Sequence, residues 1–274
     1  METIKSPAKI NLGLWILRKR TDEYHDIYTV IHTIDLHDII TIKPAPKLEI
    51  TFSNPNIPEE NTVTKAVRIF EETTGIQQNY KIFIQKNIPI GSGLGGGSSN
   101  AAVILKKLNE LSGSPLTQEE LHKLAVYIGA DVPFFLEGGM AVAQGIGDKI
   151  TYLKTKLEKE IFIIYPNIEV KTKEVYSKVT SDILTTQEQI NIIDTLLKEN
   201  RLDEFLASIE NSLGNISKEN FPVINEVLNT LEFLGYKGYI TGSGSAVFVF
   251  GKPNQRLKDI CKLRDWKLYE ANLI

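Results

Sequence analysis

Cysteine is almost missing. Cys261 stands alone in 274 residues, which rules out an internal disulfide framework and a cysteine-rich metal site. A dominant charge is missing too. The 34 acidic residues outnumber the 31 basic ones by only three, so no broad basic field invites nucleic acid or an anionic membrane surface. Apolar runs are short. The longest, such as Ile161 to Tyr165, fall far below the roughly 20 residues that span a bilayer. The opening residues carry Glu2, Lys5 and Lys9 and no apolar core, so no signal peptide is expected. What is present, 42% hydrophobic and 24% charged residues, is the make-up of an ordinary globular chain. A cytoplasmic protein that works on a small molecule is expected.

Several catalytic signatures are absent as well. There is no G-x-x-x-x-G-K-[ST] phosphate loop, no H-R-D and no D-F-G. The run Gly242-Ser243-Gly244-Ser245 lacks the spacing of a nucleophile elbow. The four histidines make no metal set. His32 and His37 fall on opposite faces of a strand-like segment, and His122 takes the solvent side of a helical pattern.

Periodicity supplies the expected elements. Ile10 to Leu17 and Tyr28 to Ile42 read as strands, the second broken near Asp35 to Asp38. Asn61 to Gly75 reads as a helix with Val63, Ala66, Val67 and Phe70 on one face, and Gly75 as its stop. A strand over Tyr80 to Gln85 leads into glycines, and a helix is expected from about Ser98. Thr117 and Glu120 form a capping box for a helix that ends at Gly129. Pro133 then pushes Val132 towards extended backbone and leaves Asp131 at a change of direction. A boundary is expected in the charged stretch Lys154 to Lys159. Beyond it come a buried strand over 161–165, helices near 186–199, 202–213 and 222–234, and a strand pair joined by 242–245. Mixed order without strict alternation favours α+β domains.

The densest signal is Gly91-Ser92-Gly93-Leu94-Gly95-Gly96-Gly97. Glycines let backbone N–H groups approach an anion, and a helix start adds a positive end. Ser98, Ser99 and Asn100 can cap that helix or touch phosphate. A flexible linker is the alternative, but linkers seldom join a strand to an amphipathic helix. A dinucleotide loop fails on context, because Glu110 falls inside the helix instead of at the end of a second strand. Lys9 and Asn11 share one face of a strand, which taken alone is usually just its solvated side. Asp131 is a rigidly placed carboxylate or a simple helix-end cap. Tyr24-His25, in a polar turn, is an incidental surface pair or a reader of a flat polar ring.

Together the segments Pro7 to Leu14 (PAKINLGL), Pro89 to Ala102 (P-x-G-x-GLGGGSSNAA) and Thr241 to Phe248 resemble the three signature segments of the GHMP small-molecule kinases, in order and spacing. With Tyr24-His25 and IGADVPFF (128–135) they resemble the branch that phosphorylates the 2-hydroxyl of a cytidine-diphosphate-linked methylerythritol in non-mevalonate isoprenoid synthesis. The resemblance covers the whole chain. It departs at Glu23, where the family usually has glycine.

The resemblance implies a two-domain α+β fold with the active site in the interdomain cleft. It implies an ATP-binding domain over residues 1–154 and a ferredoxin-like domain over 155–274. Asp131 becomes the catalytic base and Lys9 its partner. Pro89, Ile90, Gly91, Ser92, Gly93, Leu94, Gly95, Gly96, Gly97, Ser98 and Ser99 cradle the ATP phosphates. Asn61, Thr62, Val63 and Lys65 lie on the adenine side. Asn11, Tyr24, His25, Thr172 and Tyr176 hold the cytidine end, with the base expected between the rings of Tyr24 and Tyr176. Magnesium accompanies ATP, a weak homodimer is the expected assembly, and neither nucleic acid nor membrane is a partner. A mevalonate- or homoserine-type kinase is the alternative within the family, and a non-catalytic nucleotide binder the alternative outside it.

Overall fold

The computed structural model describes residues 1–155 and 157–274. In chain order the elements are β1 (Glu2–Lys19), β2 (His25–Pro44), β3 (Glu49–Phe52), α1 (Thr62–Thr74), β4 (Tyr80–Gln85), α2 (Gly96–Leu111), α3 (Gln118–Ile128), β5 (Met140–Gly145), β6 (Lys149–Leu153), β7 (Glu160–Tyr165), α4 (Thr172–Tyr176), α5 (Gln187–Lys198), α6 (Leu202–Ala207), α7 (Ser212–Asn220), α8 (Pro222–Phe233), β8 (Tyr239–Ile240), β9 (Val247–Phe250), α9 (Gln255–Leu263) and β10 (Lys267–Asn272). Strands and helices mix without regular alternation, as expected of α+β.

Two compact units share the chain. The first holds Met1–Ala8, Leu36–Ile90 and Gly95–Gly138; the second holds Lys9–Asp35, Gly91–Leu94 and Gly139–Ile274. Residue 154, the expected boundary, lies within the second unit.

In the first unit, β4 pairs antiparallel with the second half of β2 (Ile39 opposite Gln85 to Pro44 opposite Tyr80) and parallel with β3. Helix α1 starts where Asn61 Oδ1 accepts from the Val63 and Thr64 amides, while the Thr64 hydroxyl accepts from the Asn61 amide. It stops at Gly75, whose left-handed φ of 71° only glycine adopts without cost. Its buried face, Val63, Ala66, Val67, Ile69 and Phe70, packs on α2. The capping box of Thr117 and Glu120 starts α3 as the sequence indicates.

In the second unit, the first half of β2 pairs with β5, and β5 with β6. A separate antiparallel sheet runs β10-β7-β9-β8. Its core gathers Phe162, Ile164, Leu213, Ile224, Leu231, Val247 and Trp266, all buried. Side chains of this size contribute about 1.5–3 kcal/mol each when fully buried.

Four local expectations need correction. Strand β2 is continuous through Asp35 to Asp38 because both carboxylates find partners. Asp35 accepts from the Asn272 amide and side chain at 2.7 and 2.8 Å, and Asp38 is fully buried in a polar cluster. The 202–213 pattern is two helices, separated by residues 208–211. Helix α2 begins at Gly96, two residues before Ser98. Val132 is right-handed helical (φ −65°, ψ −42°), not extended, because Pro133 opens a 3-10 turn over Pro133–Leu136 in which proline's fixed φ suits the first position.

The cluster around Asp38 organises the first unit. Asp38 Oδ1 accepts from the Asn87 and Ile88 amides at 2.7 and 2.9 Å. Its Oδ2 accepts from Asn100 at 3.0 Å and pairs with the Lys86 ammonium, which also donates to Asn100 Oδ1. Removing one member leaves a buried charge without its counterpart, which typically costs about 3–5 kcal/mol. Asp38→Ala should therefore lose stability on that scale in urea unfolding. A loss below about 1 kcal/mol would instead class the pair with exposed ion pairs.

Candidate active site

The glycine-rich segment is shaped by where its carbonyls go. In the second unit, Gly91 O accepts from the Val170 amide, Ser92 O from Ala246 and Leu94 O from Lys9, at 3.1, 3.0 and 3.0 Å. Oxygens that would repel an anion are thus turned onto protein donors. Gly91, Gly93 and Gly95 all take left-handed φ values, 61°, 82° and 71°. At Gly93 a Cβ would stand 2.4 Å from Thr241 O and 3.1 Å from Gly244 O, so no side chain fits.

In the first unit, the chain enters α2 at Gly95, with no side chain capping the helix start. A 16-residue helix with open first-turn amides favours negative charge there. The Thr62 hydroxyl donates to Gly97 O at 2.9 Å, so the start of α1 touches this turn. Ser99 is fully buried with its hydroxyl 2.7 Å from Ser6 Oγ, which directs it into the protein. Ser98 is half-buried, and Pro89 and Ile90 follow β4 in the chain.

Lys9 is 4% exposed on β1. Its ammonium donates to Asn11 Oδ1 at 2.6 Å, the same-face neighbour that the strand period provides. Asn11 is itself held in place. Its side-chain amide donates to Thr29 Oγ1 at 2.9 Å, and its main-chain amide donates to Thr241 Oγ1 at 2.9 Å. Thr29 passes the chain on to Gly13 O. The residue expected to meet substrate is thus the one that holds Lys9. Thr29 and Thr241 went unremarked in the sequence; only the place of Thr241 at the head of the third signature segment pointed to it.

Asp131 belongs to the first unit, half-buried in the turn between α3 and the 3-10 turn. The Val132 amide closes back on Gly129 O at 3.1 Å, which fixes that turn. Lys65 reaches the end of the same helix. Its ammonium donates to Tyr127 O at 2.5 Å and Ile128 O at 3.2 Å and lies 4.7 Å from the Tyr127 ring centre. Asn61 and Val63 serve as cap and buried anchor of α1.

The polar turn before β2 differs from expectation. Tyr24 is 60% exposed. The ring stacked on Tyr176 is His25, at 5.3 Å between centres and 23° between planes. Glu23 explains the geometry, since its φ of 68° is left-handed, the conformation for which glycine is the usual residue. In this turn Tyr24 is directed outward and His25 inward. His25 is 6% exposed, and neither ring nitrogen has a hydrogen-bond partner among the described residues. Burial pushes its pKa below the ordinary value, so the ring is neutral at pH 7 and offers one donor and one acceptor. Thr172, at the start of α4, pairs with the Ser243 hydroxyl at 3.0 Å.

The GHMP kinase N-terminal domain family matches residues 61–139, and the GHMP kinase C-terminal family matches 194–265. The chain belongs to the GHMP kinase family. It is 56% identical to the 4-diphosphocytidyl-2-C-methyl-D-erythritol kinase of Persephonella marina and 50% identical to that of Sulfurihydrogenibium sp., each alignment covering all of both chains. Its fold is similar to a crystal structure of 4-(cytidine 5'-diphospho)-2C-methyl-D-erythritol kinase, with TM-score 0.80, 29% identity and 99% of each chain covered. The Methanococcus jannaschii mevalonate kinase shares the fold at TM-score 0.69 and 17% identity, covering 100% of this chain and 98% of that one.

Gly93→Ala should weaken nucleotide binding, because the left-handed φ costs about 1–2 kcal/mol with a Cβ present and the methyl would collide with Thr241 O. Calorimetric titration of folded variant with ATP reads this directly, and an unchanged affinity would refute the close-approach role of Gly93.

Proposed function

We propose that this protein transfers the γ-phosphoryl group of ATP to the 2-hydroxyl of 4-diphosphocytidyl-2-C-methyl-D-erythritol, a step of isoprenoid precursor synthesis. The observation that carries the reading is full-length identity of 50–56% to curated kinases of that name. An ATP kinase of the GHMP family in the cytoplasm is the setting. The family matches on either side of residue 154 support an ATP-binding domain over 1–154 and a second domain over 155–274.

The residues have distinct tasks in this reading. Phosphoryl transfer asks the protein mainly to position the reactants and to neutralise charge. Residues 89–99 hold the phosphates by main-chain N–H groups, and Asn61, Thr62 and Val63 border the adenine. Asp131 accepts the hydroxyl proton, and the Lys9 ammonium, oriented by Asn11, offsets developing charge. Magnesium supplies charge neutralisation on the phosphate oxygens. It suits this chain as an ion brought by the nucleotide, since no cluster of three or more His, Cys, Asp or Glu side chains able to hold a metal occurs among the described residues and magnesium usually needs only one or two carboxylates beside phosphate and water.

The cytidine end falls to His25, Tyr176, Thr172 and, at the exposed rim, Tyr24. Stacking on an aromatic ring gives on the order of 1–3 kcal/mol per base but does not choose the base. Choice needs hydrogen bonds, and the two buried, unpaired nitrogens of His25 are a donor–acceptor pair of the kind a cytosine edge requires.

Assay of ATP consumption against diphosphocytidyl-methylerythritol, mevalonate and homoserine tests the reading. Turnover with the first alcohol alone is expected. Preference for mevalonate or homoserine would reassign the chain within its family, and no turnover with any would leave a nucleotide binder. With the preferred substrate, His25→Ala should raise KM for the cytidine compound and narrow its advantage over the uridine analogue, leaving KM for ATP unchanged.

A further inference from the structure

Lys65 is a helix residue with an unusual assignment of its charge. On an exposed helix face a lysine normally meets water or a carboxylate within its own helix. Here the ammonium leaves α1 and donates to two main-chain oxygens in the last turn of α3, Tyr127 O and Ile128 O. Those carbonyls end a helix and have no amide of the next turn to bind. A cation beside them satisfies the orphan acceptors and suits the negative end of the helix. The Tyr127 ring, itself 70% exposed, lies against the same ammonium. Three residues on from Ile128 comes Asp131.

Two further contacts decide what this does. Lys65 is on the first turn of α1, only three residues after Thr62, whose hydroxyl holds Gly97 O of the glycine-rich turn. One helical turn thus touches the start of α2 through Thr62 and the end of α3 through Lys65. After Ile128 the chain has Gly129, which offers no side-chain restraint, and the Val132 amide closes the turn containing Asp131 onto Gly129 O. The last turn of α3 is the fixed end of that short arm.

We propose that Lys65 is a positioning residue for phosphoryl transfer. It pins the end of α3, so that the carboxylate of Asp131 is held in register with the glycine-rich turn that the same helix α1 touches. The inference rests on Asp131 being the base. It assigns Lys65 to the chemical step, where the resemblance to the family had suggested the adenine. The ammonium has its donors directed at protein carbonyls, which is the arrangement of a brace.

The test is steady-state kinetics of Lys65→Met, Lys65→Arg and Asp131→Asn in the full-length protein, with ATP and the cytidine substrate varied separately. Lys65→Met keeps the methylene stem and removes the charge, and thermal unfolding checks that it folds. A small displacement of a reacting group costs up to roughly 100-fold, so kcat should fall roughly 10- to 100-fold in Lys65→Met. Both KM values should stay within about twofold, well short of that effect. Lys65→Arg, still able to donate to two carbonyls, should recover most of the loss. A rise in KM for ATP with kcat intact would make Lys65 a nucleotide ligand and overturn the proposal, as would unchanged kinetics. Asp131→Asn separates the two ideas. If it turns over normally, the base reading falls and the brace with it. If it is inactive while Lys65→Met is normal, only the brace falls. Should Lys65→Met fail to fold, Lys65→Gln, shorter and uncharged and so unable to hold both carbonyls, is expected to lower kcat in the same direction; no drop would again overturn the proposal.

Discussion

A polyphosphate held by main-chain amides requires backbone that comes within hydrogen-bond reach of it, shows it no carbonyl and puts no side chain in between. In the proposed reading, much of this structure follows from that constraint. The glycines at 91, 93 and 95 take left-handed backbone, and the carbonyls of Gly91, Ser92 and Leu94 are drawn onto Val170, Ala246 and Lys9. Glycine-rich backbone is entropically expensive to fix, so both flanks need anchoring. In the first unit the buried Asp38 carboxylate does this, binding the amides of Asn87 and Ile88 on one flank and Asn100 on the other. The charge is tolerated in the interior because Lys86 and Asn100 complete its shell.

The same economy governs Lys9. A lysine 4% exposed must be compensated, and the compensation begins two residues away at Asn11, extends to Thr29 and reaches Thr241 at the far end of the sequence. Asn11 orients the ammonium without neutralising it, since an amide oxygen accepts but carries no charge. His25 shows the opposite device. Burial pushes its pKa down, which disfavours the charged ring.

Most of the secondary structure was legible because the cues were local. Asn61 and Gly75 bound α1, and Thr117 with Glu120 starts α3, through hydrogen bonds between near neighbours. The glycine-rich segment stood out as a candidate phosphate loop because its composition serves no bland purpose between a strand and a helix. The failures were tertiary at Asp35, Asp38 and His25, and lay in unsignalled local backbone at Val132 and Glu23. Asp35 and Asp38 look like a strand break, yet distant partners at Asn272, Lys86 and Asn100 satisfy them. Val132 is helical because proline at 133 opens a 3-10 turn, which outweighs the usual bias of a residue before proline. The pairing of His25 with Tyr176 joins residues 151 positions apart, counted as 176 minus 25, and no periodicity reports such a contact. The backbone of Glu23 decides that Tyr24 faces out and His25 in, and a left-handed glutamate is not a sequence signal.

The central claim is that the glycine-rich segment and the start of α2 exist to hold phosphate. Calorimetric titration of the wild-type protein with ATP, ADP, AMP and adenosine tests it most directly. Affinity should depend on the β- and γ-phosphates, with ATP and ADP binding well and AMP and adenosine weaker by at least about tenfold, or 1.4 kcal/mol. If adenosine bound as tightly as ATP, the loop would not be a phosphate cradle, and the account built on it would be wrong.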